Sequence, residues 1–188
     1  MREVPMLFNT EMVKAILDDR KTQTRRLVKE IPLHAPYFEV VDGKPMACDE
    51  NGDWYPATYF SRIQPGDMLW VRETWCHVKF GLGEWHYEYR ADCSDPRRWS
   101  NGSFAEWRPS IHMPRAAARL FLPVKDVRIE RLQHISIDDA IAEGCNAATP
   151  ILQFQRIWDG TIKKSDLNRY GWEASPWVWV IEFEKVEK

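Results

Sequence analysis

The amino-acid sequence predicts a β-barrel-like α+β domain, and three observations carry that prediction. Several short stretches alternate apolar and polar residues with the period of a strand. Two or three others combine a capping residue with a helical apolar face, and no repeat or low-complexity segment interrupts the pattern. At 188 residues the chain is long enough to bury a real core as one domain.

The first helix is expected after Asn9 or Thr10, either of which can cap it, with Val13, Ile16 and Leu17 on one face. It should end at "DDR", where a left-handed residue is needed and Asp adopts that conformation more readily than most. Residues 28–62 are mixed and turn-rich. Within them "CDENGDW" places Asp49, Asn51 and Asp53 at alternate positions, but Gly52 is out of place for a calcium loop and Phe60 stands where a bidentate Glu is required. It reads as an acidic turn. "PGDMLWVRETW" (65–75) is a turn and then a strand, with Leu69 and Val71 on one face and Trp70 and Arg72 on the other. "EWHYEYRAD" (84–92) alternates similarly.

Residues 95–115 have no clean period and three prolines, which predicts a long surface excursion. Residues 118–132 read as one long extended segment with a bend at Pro123. Ser136 opens a second helix, with Asp138 and Asp139 in its first turn and Gly144 just past its end. Thr149-Pro150 opens a third, whose apolar face is Ile151, Phe154, Ile157 and Trp158. "PWVWVIEFEKV" closes the chain as a β-branched and aromatic strand.

Composition narrows the function classes. Lys+Arg 26 against Asp+Glu 28 leaves no basic excess, so a nucleotide or nucleic-acid ligand must meet a local patch. Trp 10 is high and suits a pocket that stacks a base as well as a core. No apolar run reads as a signal peptide or a membrane span, and Cys48, Cys76, Cys93 and Cys145 are scattered like reduced thiols. The expectation is a cytoplasmic protein with no membrane partner. His34, His77, His86, His112 and His134 lack metal-ligand spacing, and there is no P-loop, dinucleotide fingerprint or nucleophile elbow. Neither metal nor cofactor is expected.

The chemistry concentrates in residues 20–26, where Arg20, Lys21, Arg25 and Arg26 surround Thr22 and Thr24. A helix C-terminus favours cations, which accounts for the charge but not for the threonines. A threonine hydroxyl becomes a nucleophile when a base removes its proton, and a lysine amine serves when burial or nearby cations depress its pKa. The same cations can stabilise an oxyanion. Spacing i, i+3 joins Lys21 and Thr24 only if the segment turns. Glu143, in the last turn of its helix, stands where the dipole disfavours a carboxylate, which suggests a facing cation such as Lys21. Trp70, Trp75, Trp107, Tyr87 and Tyr89 are candidate stacking residues, and His112 and Arg115 either contact a ribose or phosphate or anchor the long loop.

These residues resemble the ASCH family of the PUA-like superfamily, whose signature is Gly-x-Lys-x-x-Glu-x-Arg directly after the first helix. The chain reads Asp19-Arg20-Lys21-Thr22-Gln23-Thr24-Arg25-Arg26, matching at Lys21 and Arg26, with Asp19 for the glycine and Thr24 for the glutamate. The threonine form is that of small bacterial N4-acetylcytidine amidohydrolases, in which Lys, Thr and Glu are understood to form the catalytic triad. "PGDMLWV", "ISIDDAIAEGC" and "VWVIEF" are similar to further segments of those enzymes, and the second of these makes Glu143 the third member. Residues 28–62 and 76–116 have no counterpart there and read as insertions into a domain spanning 1–188, a layout similar to larger ASCH-related proteins of phages and prophages. The resemblance implies a PUA-like β-barrel with flanking short helices. It implies hydrolysis of an N4-acyl amide on a cytosine nucleoside, free or within RNA, with Lys21, Thr24 and Glu143 catalytic. Arg26, Arg20, Glu73, Trp75 and Trp70 would bind substrate. ASCH and PUA-like domains also include RNA binders, so a non-catalytic RNA-binding module and a phage-encoded ribonuclease are the alternatives.

Overall fold

The computed structural model describes residues 1–28, 37–41, 44–49, 51–79, 83–95, 97 and 106–186. In chain order the elements are β1 (Glu3–Leu7), α1 (Thr10–Leu17), β2 (Gln23–Leu27), β3 (Tyr37–Val41), β4 (Lys44–Cys48), β5 (Trp54–Pro56) and β6 (Met68–Arg72). β7 (Trp75–Lys79), β8 (Trp85–Tyr89), β9 (Phe121–Arg131), α2 (Ile137–Ala142), α3 (Pro150–Thr161), α4 (Leu167–Tyr170) and β10 (Trp177–Phe183) follow. The chain is mixed α+β. Five strands are hydrogen-bonded in the order β1-β6-β9-β10-β2, and β3-β4-β5 and β7-β8 make two small sheets. The closed barrel expected from the resemblance is not formed among the described residues. β1 pairs with β6 and β2 with β10, and these two strands are the ends of the ladder.

The described residues group into two compact units, one of 1–21, 67–123 and 184–188, the other of 22–66 and 124–183. In the first, α1 forms where the capping signal placed it: the Asn9 side chain accepts from the Met12 N–H at 2.8 Å. Val13 and Ile16 are buried and Asp19 takes the left-handed conformation (φ 56°). The Arg20 and Lys21 N–H groups return to the Ala15 carbonyl at 2.8 and 3.0 Å. Lys185 completes the helix end, its Nζ donating to the Leu17 carbonyl at 2.9 Å and meeting Asp19 Oδ1 at 2.8 Å, as a helix C-terminus favours. Leu69 and Val71 of β6 are fully buried while Trp70 and Arg72 take the other face, the alternation expected of that strand. In the 95–115 segment Arg115 anchors the chain to β1, donating to both Glu3 carboxylate oxygens at 2.7 Å.

In the second unit, Ser136 caps α2 by accepting from the Asp139 N–H, and Gly144 (φ 94°) is the left-handed residue after it. α3 starts at Pro150 and presents Phe154 and Trp158 to a core that includes Leu132, Ala140, Val178 and Val180. Val178 and Val180 lie on β10, which pairs antiparallel with both β9 and β2. The acidic turn is also found: the Asp49 carboxylate accepts the Asn51 and Asp53 N–H groups, each at 2.9 Å.

Candidate functional site

β2 carries Thr24 into the second unit as a strand residue, opposite Ile181 of β10, with Arg25 opposite Val180 and Arg26 opposite Trp179. Thr24 is therefore a strand residue, and a turn that would pair it with Lys21 at i, i+3 can lie only before Gln23. Side chains alternate along a strand, so Gln23 and Arg25 share one face and Thr24 and Arg26 the other. The Thr22 N–H bonds the Ala142 carbonyl at 2.9 Å, and the Thr22 carbonyl accepts from Phe183 at 2.8 Å. The backbone one residue past Lys21 is thereby fixed to the residue before Glu143.

Arg25 organises this site. Its side chain is fully buried and gathers three carboxylates: Glu130 Oε1 at 2.6 Å, Asp139 Oδ2 at 3.1 Å and Glu143 Oε1 at 3.2 Å. A guanidinium suits this role because its fork of donors can serve several acceptors at once. Glu143, at the C-cap of α2 and 7% exposed, thus has a cation to neutralise it in Arg25. Gln23 supports the same corner, its Nε2 donating to the Asp139 carbonyl at 2.8 Å and to Asp139 Oδ1 at 3.0 Å. Arg128 closes the network by pairing with Asp139, Glu130 and Glu182. Burial alone would raise the Asp139 carboxyl, but the Gln23 hydrogen bond and the charges of Arg25 and Arg128 outweigh it and hold the group below its ordinary value. For Arg26 the balance goes the other way: burial lowers its pKa, against an opposing pull from Glu143.

The remaining expected residues fall in the first unit. Lys21 is 2% exposed, with its Nζ 5.8 Å from the centre of the Phe8 ring. Arg20 lies at the surface, paired with Asp18 at 2.9 Å. Glu73, 1% exposed, is held by both Arg119 Nε and Nη2 at 2.9 and 3.0 Å, while Arg119 Nη1 reaches Asp92 at 2.7 Å. Burial works against the Arg119 charge, but Glu73 and Asp92 raise its pKa above the ordinary value. Arg119 lies over the Tyr89 ring at 3.9 Å, and burial pushes the Tyr89 phenol up to about 12. Trp75 is buried with Met113 and Ala117, and Trp70 has the Arg72 guanidinium 5.6 Å from its ring centre.

Structure therefore brings Thr24, Arg25, Arg26 and Glu143 into one unit, and Lys21, Arg20, Glu73, Trp70 and Trp75 into the other. Gln23, Glu130, Asp139 and Arg128 were not expected here, nor were Arg119 and Asp92. The alternation of β2 could have singled out Gln23 as Arg25's neighbour on one face; their carboxylate partners are more than a hundred residues distant in sequence. Among the described residues no three His, Cys, Asp or Glu side chains gather as a metal-ligand set. No described helix is long and apolar enough to cross a membrane. No family model, curated protein or solved structure matches the chain.

Proposed function

We propose that the chain is an ASCH-type, PUA-like amidohydrolase that removes the N4-acyl group from a modified cytosine nucleoside. The observation that carries this reading is the withdrawal of Lys21 and Arg25 from solvent. A phosphate grip needs exposed charges, yet Lys21 and Arg25 are 2% and 4% exposed and Arg20 is already paired with Asp18. Thr24, 2% exposed, and Lys21 supply a nucleophile and a base of the kinds acyl transfer requires. Three peptide units separate them, so their Cα atoms lie within about 11 Å, and the reading requires the chain to turn before Gln23, where β2 begins.

In the proposed reaction Thr24 Oγ1 attacks the acyl carbon while the Lys21 amine takes the hydroxyl proton. The carbonyl oxygen becomes an oxyanion, stabilised by Arg26 or by backbone N–H groups. Lys21 then gives the proton to the departing cytosine N4 as the C–N bond breaks. Water hydrolyses the resulting threonyl ester, releasing a carboxylate and restoring the hydroxyl. In this scheme Glu143 orients the lysine, and Arg25 acts through Glu143 as a positioning residue, since its guanidinium holds that carboxylate at 3.2 Å.

The test is incubation of the purified protein with N4-acetylcytidine and other N4-acylcytidines, following cytidine release by chromatography. Turnover is expected with wild type and should fall by at least about a hundredfold in Thr24→Val, on the scale of losing an activated nucleophile and its base. RNA cleavage with no release from any acylcytidine would favour the ribonuclease reading and overturn this one.

A further inference from the structure

We infer that the β7–β8 hairpin is a platform for single-stranded nucleic acid, with bases stacked at the exposed end of its aromatic face. The hairpin lies within the segment that has no counterpart in the small amidohydrolases, and binding there does not depend on the proposed chemistry. Cross-strand partners put Trp75, His77 and Lys79 on the same face as Tyr89, Tyr87 and Trp85. The opposite face supplies Cys76 and Val78 to the core. On the aromatic face Trp75 packs with Met113 and Ala117, and Tyr87 and Tyr89 pack against that cluster, while Trp85, His77 and Lys79 stay exposed.

Four of these rings form a continuous row. Trp85 and His77 have centroids 4.9 Å apart, His77 and Tyr87 stack at 4.8 Å, and Tyr87 meets Trp75 edge-on at 5.7 Å. Exposure declines along the row, from Trp85 at 59% to Trp75 at 4%. At the inner end the buried Trp75 indole N–H has no hydrogen-bond partner among the described residues, leaving a donor for an acceptor such as a base carbonyl.

Charge selects the occupant. Lys79 lies directly across from Trp85 at one end, and the exposed Arg108 stands 5.4 Å from the Trp75 ring centre at the other. Glu88, the carboxylate within β8, points to the opposite face, where it meets His86 at 3.5 Å. Rings flanked by cations, with the strand carboxylate turned away, match a polymer of stackable bases on a phosphate backbone better than a neutral or acidic partner.

The experiment is fluorescence anisotropy of the full chain with labelled oligouridine RNA, oligothymidine DNA and a blunt duplex, over a range of salt. Both single strands should bind and the duplex should not. Trp85→Ala and His77→Ala should each weaken binding by roughly tenfold, the scale of one lost stacking contact. Lys79→Ala should flatten the salt dependence by about 0.7 in the log–log slope. Trp85, His77 and Lys79 are exposed, so unchanged thermal unfolding should accompany these losses. Absence of binding to either single strand, equal binding to the duplex, or wild-type affinity in both aromatic variants would each overturn the inference. None of these outcomes depends on acylcytidine turnover.

Discussion

Arg25 is the residue on which the second unit's polar interior depends, because three carboxylates gather round one fully buried guanidinium. Arg25→Leu would leave Glu143 and its neighbours without that charge. Stability should fall by about 3 kcal/mol or more, the usual consequence of breaking a buried ion pair from one side. Urea unfolding measures it, and a loss under about 1 kcal/mol would mean that Arg128 suffices alone. Asp139 makes a pH prediction. Its folded pKa lies below its unfolded value, so its contribution is present above about pH 4 and is lost as pH falls through the folded pKa. The gap in melting temperature between wild type and Asp139→Asn should therefore be widest near pH 6 and shrink below pH 4; a gap constant with pH would contradict the assignment. In the sequence, Arg25 was one of four clustered cations and had no role of its own beside Lys21 and Arg26. Its partners lie more than a hundred positions away, and nothing local distinguishes a cation that pairs inside from one that faces water.

At the scale of elements, the chain's own punctuation was readable. Asn9, Asp19, Ser136 and Gly144 bound their helices as the capping chemistry predicts, since each acts through backbone groups only a few residues away; α3 starts at Pro150 without a side-chain cap from Thr149. Gly144 matters most for the site, because its left-handed turn follows directly on Glu143. Gly144→Ala should cost about 1–2 kcal/mol from the strained backbone alone. Differential scanning calorimetry checks this, and no loss would show that the helix end can be rebuilt without the left-handed residue. The segment from Lys21 to Thr24 was less readable. The residues Gln23 to Arg26 carry no strand-like alternation of hydrophobicity, yet they pair with β10 because that apolar strand needs a neighbour for its backbone groups.

At the scale of the whole molecule, the ladder order could not be read from the chain. Pairings such as Glu3 with Met68 and Thr24 with Ile181 join distant segments, and strand pattern alone does not say which of them meet or whether the ends close. The mixed α+β character was legible; the open ladder in place of a closed barrel was not. The proposal that most depends on the molecule acting as one is catalysis, because Lys21 falls in one unit and Thr24 with Glu143 in the other. The most direct measurement compares cytidine release from N4-acetylcytidine by wild type and by Lys21→Ala, with circular dichroism confirming that both are folded. The account predicts turnover in the wild type and a loss of at least about a hundredfold in the variant. Wild-type rates in Lys21→Ala, or no release by either protein, would contradict it.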